Sequence, residues 1–141
     1  ATSDMYWAEK RIGSERMDGA YAYKSLLAQN GWIPDGSDFP VENINPIFGF
    51  FAACVRKDQQ MLPPGGFRID EALSREEALR GMTIWAAKAA FEENEKGSLE
   101  PGKFADFVVC DKDLMTEPEA GIAGICVEQT FLAGEEVFSI K

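Results

Sequence analysis

The sequence predicts an α+β fold, with three or four helices ahead of a small antiparallel sheet built from the tail. Three observations predict it. Residues 45–55 and 74–91 each pair a helix start signal with a dense set of apolar residues. Residues 125–132 alternate with a period of two and turn through Ala133-Gly134 into a further apolar run at 137–140. Ahead of both, the short apolar run Trp32–Pro34 stops at Asp35-Gly36-Ser37-Asp38. That run reads as one buried strand presenting a carboxylate from its end.

In chain order, Asp4–Arg11 carries helix formers behind Thr2-Ser3, and Gly13 stops it. Ser14–Met17 reads as a linking turn. Gly19–Gln29 reads as a second helix on the spacing of Ala20, Tyr23, Leu26 and Leu27, with Asn30-Gly31 as its stop. Tyr6, Trp7, Tyr21 and Tyr23 are candidates for a pocket wall or for core packing. Asn45 caps a helix with Pro46 at its first position. Ile47, Phe48, Phe50, Phe51, Cys54 and Val55 make that helix apolar on nearly every side. Such a helix needs wide burial, and a chain this short is expected to lack its covering partner.

Residues 57–73 read as an irregular loop around Pro63-Pro64-Gly65-Gly66. Ser74 and Glu77 form a capping box that opens a helix running past a re-cap at Thr83 to about Phe91. After the charged link at 92–96, Lys103–Val109 and Ile125–Leu132 read as strands. Gly134 is expected at positive φ in the hairpin turn, with the hairpin paired to the strand at 105–110.

Composition excludes several function classes. The chain has 141 residues, 14 Lys plus Arg, 24 Asp plus Glu and a net charge of −10. That argues against nucleic acid and anionic membranes as partners, because both need basic patches. No apolar run is long enough to span a lipid bilayer. Cys54, Cys110 and Cys126 are widely spaced and read as reduced core thiols, pointing to a cytoplasmic protein. Histidine is absent, which removes Ser-His and Cys-His catalysis and imidazole zinc ligation within this chain. The start at Ala1-Thr2-Ser3, with no Met, is expected to follow a missing upstream part.

Asp38 is the candidate site residue. In α/β proteins catalytic groups sit at the carboxyl ends of strands. The plainer alternative is a turn, since Asp, Gly, Ser and Pro all form turns and Asp38 can bond its own backbone.

Three segments taken together resemble the metal-dependent amidohydrolase superfamily, and most closely its YtcJ-like branch. They are GSDFPVE at 36–42, SREEALRGMTIWAAKAAF at 74–91 and EKGSLEPGKFADFVVCD at 95–111. Their order and spacing match, as does VEQTFLAGEEVF at 127–138. The GSLEPGKxAD turn is the most specific element. The resemblance implies the last part of a (β/α)8 barrel, residues 1–91, followed by a small antiparallel β unit, residues 92–141, that belongs to an appended β-sandwich. It implies an enzyme that hydrolyses an amide-type C–N bond in a small molecule with a divalent metal, zinc being expected. Asp38 falls on the family's aspartate that ends the eighth barrel strand. There it ligates the metal and shuttles a proton between the bound hydroxide and the leaving group.

The departures define what this chain can do alone. A barrel needs roughly 250 residues, and without histidine the other ligands are missing. A catalytic metal takes about three protein ligands, so the isolated chain is expected to be inert. Asp35 stands where the family carries a small or apolar residue. The alternative reading is a free-standing acidic interaction module without catalysis, docking through the helix at 46–57. Self-association is also expected, through the open Trp32–Pro34 strand or through exposed Phe48, Phe50 or Phe51.

Overall fold

The structure, a computed structural model, describes residues 2–140. A 3-10 turn, Asp4–Tyr6, leads into α1 (Ala8–Ile12), α2 (Ser14–Met17) and α3 (Tyr23–Asn30). Gly13 ends α1, as expected. The link at Ser14–Met17 is a short helix rather than a plain turn. α3 begins at Tyr23, not Gly19, because Tyr21 at φ 54° and Ala22 at ψ 58° interrupt the helical path. Gly31 closes α3 in the left-handed region, where a Cβ would be strained.

α4 (Pro46–Val55) has the predicted cap: the Asn45 side chain accepts the Ile47 N–H at 3.0 Å. The expectation of an uncovered helix does not hold. Phe50 and Phe51 are 0% and 3% exposed, and Ile47, Ala53 and Val55 are buried with them. Leu27, Leu73 and Ala78 cover one part of α4. Ile122 and Ile125 of the tail are in the same cluster. Ile122 belongs to a single helical turn, Glu119–Ile122, that periodicity does not reveal. The expected Phe-rich docking face of α4 is therefore this chain's own core.

α5 (Arg75–Met82) opens with the complete capping box. Thr83 breaks the predicted long helix, and α6 (Ile84–Ala89) follows. The Thr83 hydroxyl donates to the Leu79 carbonyl at 2.6 Å instead of capping α6. Residues 57–73 are irregular as expected, apart from a 3-10 turn at Ile69–Glu71.

The segment predicted as a buried strand, Trp32–Pro34, forms no β ladder and is only partly buried. The described residues place no strand beside it, and a lone strand leaves its backbone groups unpaired. One anchor replaces the ladder: the Asp35 N–H donates to the Gly81 carbonyl of α5 at 2.9 Å.

The tail forms an antiparallel sheet in the order β1-β2-β3, from β1 (Phe107–Cys110), β2 (Val127–Leu132) and β3 (Glu135–Ser139). β1 starts four residues after the predicted Lys103, and the Phe104 N–H is turned to the Glu95 carbonyl instead. Ala133 at φ 50° and Gly134 at φ 83° make the hairpin turn, two positive values in succession as a primed turn requires. The Gly134 N–H reaches the Ala105 carbonyl at 3.0 Å, so the expected pairing of hairpin and strand is observed. Phe107 and Phe131 stack across the ladder at 4.5 Å. In the GSLEPGK turn, a Cβ on Gly97 would stand 2.7 Å from the Ala87 Cβ of α6. Glycine there allows the turn to close onto the helix.

The thiols depart from expectation. Cys54 and Cys110 are half-buried and Cys126 is exposed, all three free. Burial pushes the Cys54 thiol up to about 12, so it stays protonated and unreactive. No helix among the described residues is long and apolar enough to cross a membrane.

Candidate functional site

The loop that carries Asp38 leaves the body of the chain between α4 and α5. Both helices present a glycine to it. A Cβ on Gly49 of α4 would lie 2.9 Å from Asp35 Oδ2. A Cβ on Gly81 of α5 would lie 3.3 Å from the Ile33 carbonyl and 3.4 Å from the Asp35 Cβ. Helical glycine costs roughly 1 kcal/mol against alanine. Here it opens two notches through which residues 33–35 pass.

Beyond Asp35 the chain turns outward. The Asp35 carboxylate accepts the Gly36 N–H at 2.9 Å, and the Ser37 hydroxyl accepts the Phe39 N–H at 3.3 Å. Asp38 is exposed, with φ 54°. Its carbonyl accepts the Val41 N–H at 2.9 Å. The backbone is a turn, and the turn is closed by the carbonyl, leaving the carboxylate at the surface.

A cleft of about 320 Å³ opens beside this loop, walled by Tyr6, Tyr23, Asp35, Ser37, Glu42 and Asp58 among others. Asp38 adjoins the cleft through Ser37 and is not part of its wall. Tyr6 and Tyr23 are thus the pocket-facing members of the aromatic set, while Trp7 is 50% exposed and lies outside both cleft and core.

The cleft's carboxylates sit in different environments. Asp58 accepts hydrogen bonds from the Tyr6 hydroxyl and from the Gln60 and Leu62 N–H groups. The Tyr6 bond above all holds its carboxyl below the usual range. The Ser3 hydroxyl donates to Glu42. Asp35 is half-buried, and burial pushes its carboxyl up, partly offset by the Gly36 N–H. Burial likewise raises Tyr23, with the Arg56 guanidinium opposing it. Asp35 and Asp58 are therefore pushed in opposite directions, one by desolvation and one by donated hydrogen bonds.

Among the described residues, no group of three or more Cys, Asp or Glu side chains is arranged to hold a metal ion. A catalytic zinc takes about three protein ligands, and Asp38 is the single candidate here. The residues present do not fit a metal site by themselves. The pairing of Asp58 with Tyr6 and of Glu42 with Ser3 carried no sequence signal, because the partners lie 52 and 39 residues apart in the chain.

The sequence model described as "Amidohydrolase family" matches residues 1–138. Protein LONG AFTER FAR-RED 3 of Arabidopsis thaliana is 35% identical over 133 residues, 92% of this chain and 22% of its own length. YtcJ of Bacillus subtilis is 29% identical over 136 residues, 96% of this chain and 26% of its own. The N-substituted formamide deformylase of Arthrobacter pascens is 29% identical over 114 residues, 81% of this chain and 20% of its own. An uncharacterized metal-dependent hydrolase of Pyrococcus horikoshii OT3 superposes with a TM-score of 0.69 at 28% identity. That superposition covers 84% of this chain and 24% of the other. The chain thus spans about a quarter of the length of the proteins it matches.

Proposed function

The chain belongs to the amidohydrolase family, and from that premise we propose that it is the C-terminal portion of a metal-dependent enzyme. That enzyme hydrolyses an amide-type C–N bond in a small molecule. The observation that carries this reading is the family match across residues 1–138. Two similarities support it: one relative is by name a formamide deformylase, and one superposing structure is described as a metal-dependent hydrolase.

In this reading residues 1–91 close a (β/α)8 barrel and residues 92–141 contribute strands to a β-sandwich. The remaining metal ligands come from parts of the enzyme outside these 141 residues. Asp38 supplies a carboxylate at the barrel's active face. Its Oδ atoms take a proton as water attacks the carbonyl and return it to the departing nitrogen, a task for a positioned carboxylate. The alternative of an interaction module loses its docking face, since α4 is buried in the core.

The test uses the full-length enzyme, supplied with a divalent metal and assayed on N-alkylformamides. Asp38→Asn keeps the fold and lowers turnover by about 10²–10⁴. Near-normal turnover in that variant removes Asp38 from the mechanism. The 141-residue chain alone should show no hydrolysis with added zinc, manganese or cobalt; metal-dependent turnover by it would sink the fragment reading.

A further inference from the structure

We propose that Asp35 is a positioning residue: it is the clamp that sets where the following loop presents Asp38. This rests on the functional reading above for the importance of Asp38, and on geometry for everything else. The loop that carries Asp38 needs a fixed point where it leaves α4 and α5. Asp35 provides that point three ways. Its N–H is bonded to the Gly81 carbonyl at 2.9 Å. Its Cβ lies against the Gly81 notch, 3.4 Å from where a Cβ would stand. Its carboxylate fills the Gly49 notch with Oδ2, while Oδ1 accepts the Gly36 N–H at 2.9 Å.

Downstream, Gly36, Asp38, Phe39, Pro40 and Val41 are all exposed. Asp35 is thus the last residue held from both sides before the chain reaches Asp38. A shift at the clamp passes along three residues to the carboxylate. A misplacement of about 1 Å at a reacting group costs roughly 10²-fold in rate.

The clamp is made of shape and one accepted hydrogen bond, not of charge. The side chain must be flat, fill the Gly49 notch and offer an oxygen to the Gly36 N–H. Asparagine is equally flat, fills the notch with Nδ2 and accepts the Gly36 N–H with Oδ1. Alanine does neither: it empties the notch and leaves that N–H without its partner. An added methyl at Gly49 invades the same space and pushes the carboxylate out.

The experiment measures millisecond hydrogen exchange at the Phe39 and Val41 amides of the full-length protein, beside steady-state kinetics on the N-alkylformamide used for Asp38. These amides bond to Ser37 and Asp38, not to Asp35, so they respond only if the clamp orders the loop beyond itself. Asp35→Ala should speed exchange at both by about fivefold or more and lower kcat by about 10- to 100-fold at little-changed KM. Asp35→Asn should keep exchange within about twofold and restore most of kcat. Gly49→Ala should mimic Asp35→Ala, and the double variant should be no worse than Asp35→Ala, because the added methyl then has room.

Unchanged exchange in Asp35→Ala overturns the proposal. So does an Asp35→Asn protein as loose as Asp35→Ala, a comparison that holds even if Gly49→Ala does not fold. If Asp38→Asn keeps normal turnover while exchange follows the pattern above, the functional reading fails and the clamp stands. If Asp38→Asn loses turnover and Asp35→Ala changes neither exchange nor kcat, the clamp alone falls.

Discussion

Arg56 offers a direct measurement of what holds the first half of the chain together. Its side chain is 0% exposed. Nε donates to the Phe67 carbonyl at 3.0 Å and Nη2 to the Tyr21 carbonyl at 3.1 Å. The guanidinium lies 4.8 Å from the centre of the Tyr23 ring and 5.7 Å from that of Phe67. It ties the end of α4 to the irregular segment before α5 and to the turn before α3. Two effects oppose this gain. Burial pushes the guanidinium's pKa down, a sign of lost hydration, and Nη1 has no partner among the described residues. A hydrogen bond from a charged donor contributes about 1.5–3 kcal/mol. Removing the side chain also leaves the Phe67 carbonyl without its donor, at about 1–3 kcal/mol. Relief of the buried charge returns several kcal/mol. The net expectation for Arg56→Ala is a loss of about 2–4 kcal/mol.

Arg56→Met separates these contributions, because it keeps the stem's packing and removes the charge and both donors. It should still lose about 1–2 kcal/mol if the two carbonyl bonds outweigh the charge burial. Urea denaturation measures both variants, and an unchanged slope identifies the shift as one of stability. An Arg56→Met protein as stable as the parent would refute the reasoning: the buried charge would then cost as much as its bonds contribute.

Two further predictions concern pH and association. The buried Glu71 accepts the Ser25 hydroxyl at 2.5 Å and the Ser25 N–H at 2.9 Å. Those bonds, the hydroxyl first, hold its carboxyl below the usual range. Its contribution is therefore complete above about pH 4.3, the ordinary glutamate value, and is lost as pH falls through the lower folded value. Ser25→Ala should cost about 1 kcal/mol at neutral pH, and the gap should close in acid; a gap constant from pH 7 to about pH 2 counts against it. The chain should also self-associate at about 0.15 M salt, where charge repulsion is screened within about 8 Å. With α4 buried, the expected contact moves to the sheet, whose outer strands leave backbone groups open. Val108, Leu132 and Phe138 are 50%, 53% and 49% exposed there. Sedimentation should show a dimer or larger that Phe138→Lys weakens; a monomer at high micromolar concentration refutes it.

Much of this protein is legible in its local chemistry. The Asn45-Pro46 start, the Ser74–Glu77 capping box and the Ala133-Gly134 turn each act within four residues, so their side chains already specify the backbone nearby. The sheet's strands follow from alternation and a short connection. The segments at 36–42, 74–91 and 95–111 carry the family as well, because a run of residues preserves its identity without its fold.

What the tertiary structure decided lies in long-range contact. Ile122 and Ile125 cover α4 from about seventy residues away, which no local period announces. The Trp32–Pro34 run has strand composition but is not a strand, because a ladder needs a neighbour that these residues do not supply. Asp38 is visible as a candidate from its motif. The clamp at Asp35 is not, because it exists only where Gly49 and Gly81 bring two helices against one carboxylate. Short-range hydrogen bonds and dihedral preferences are properties of a sequence, whereas notches, burial and shared cores belong to segments that meet only after folding.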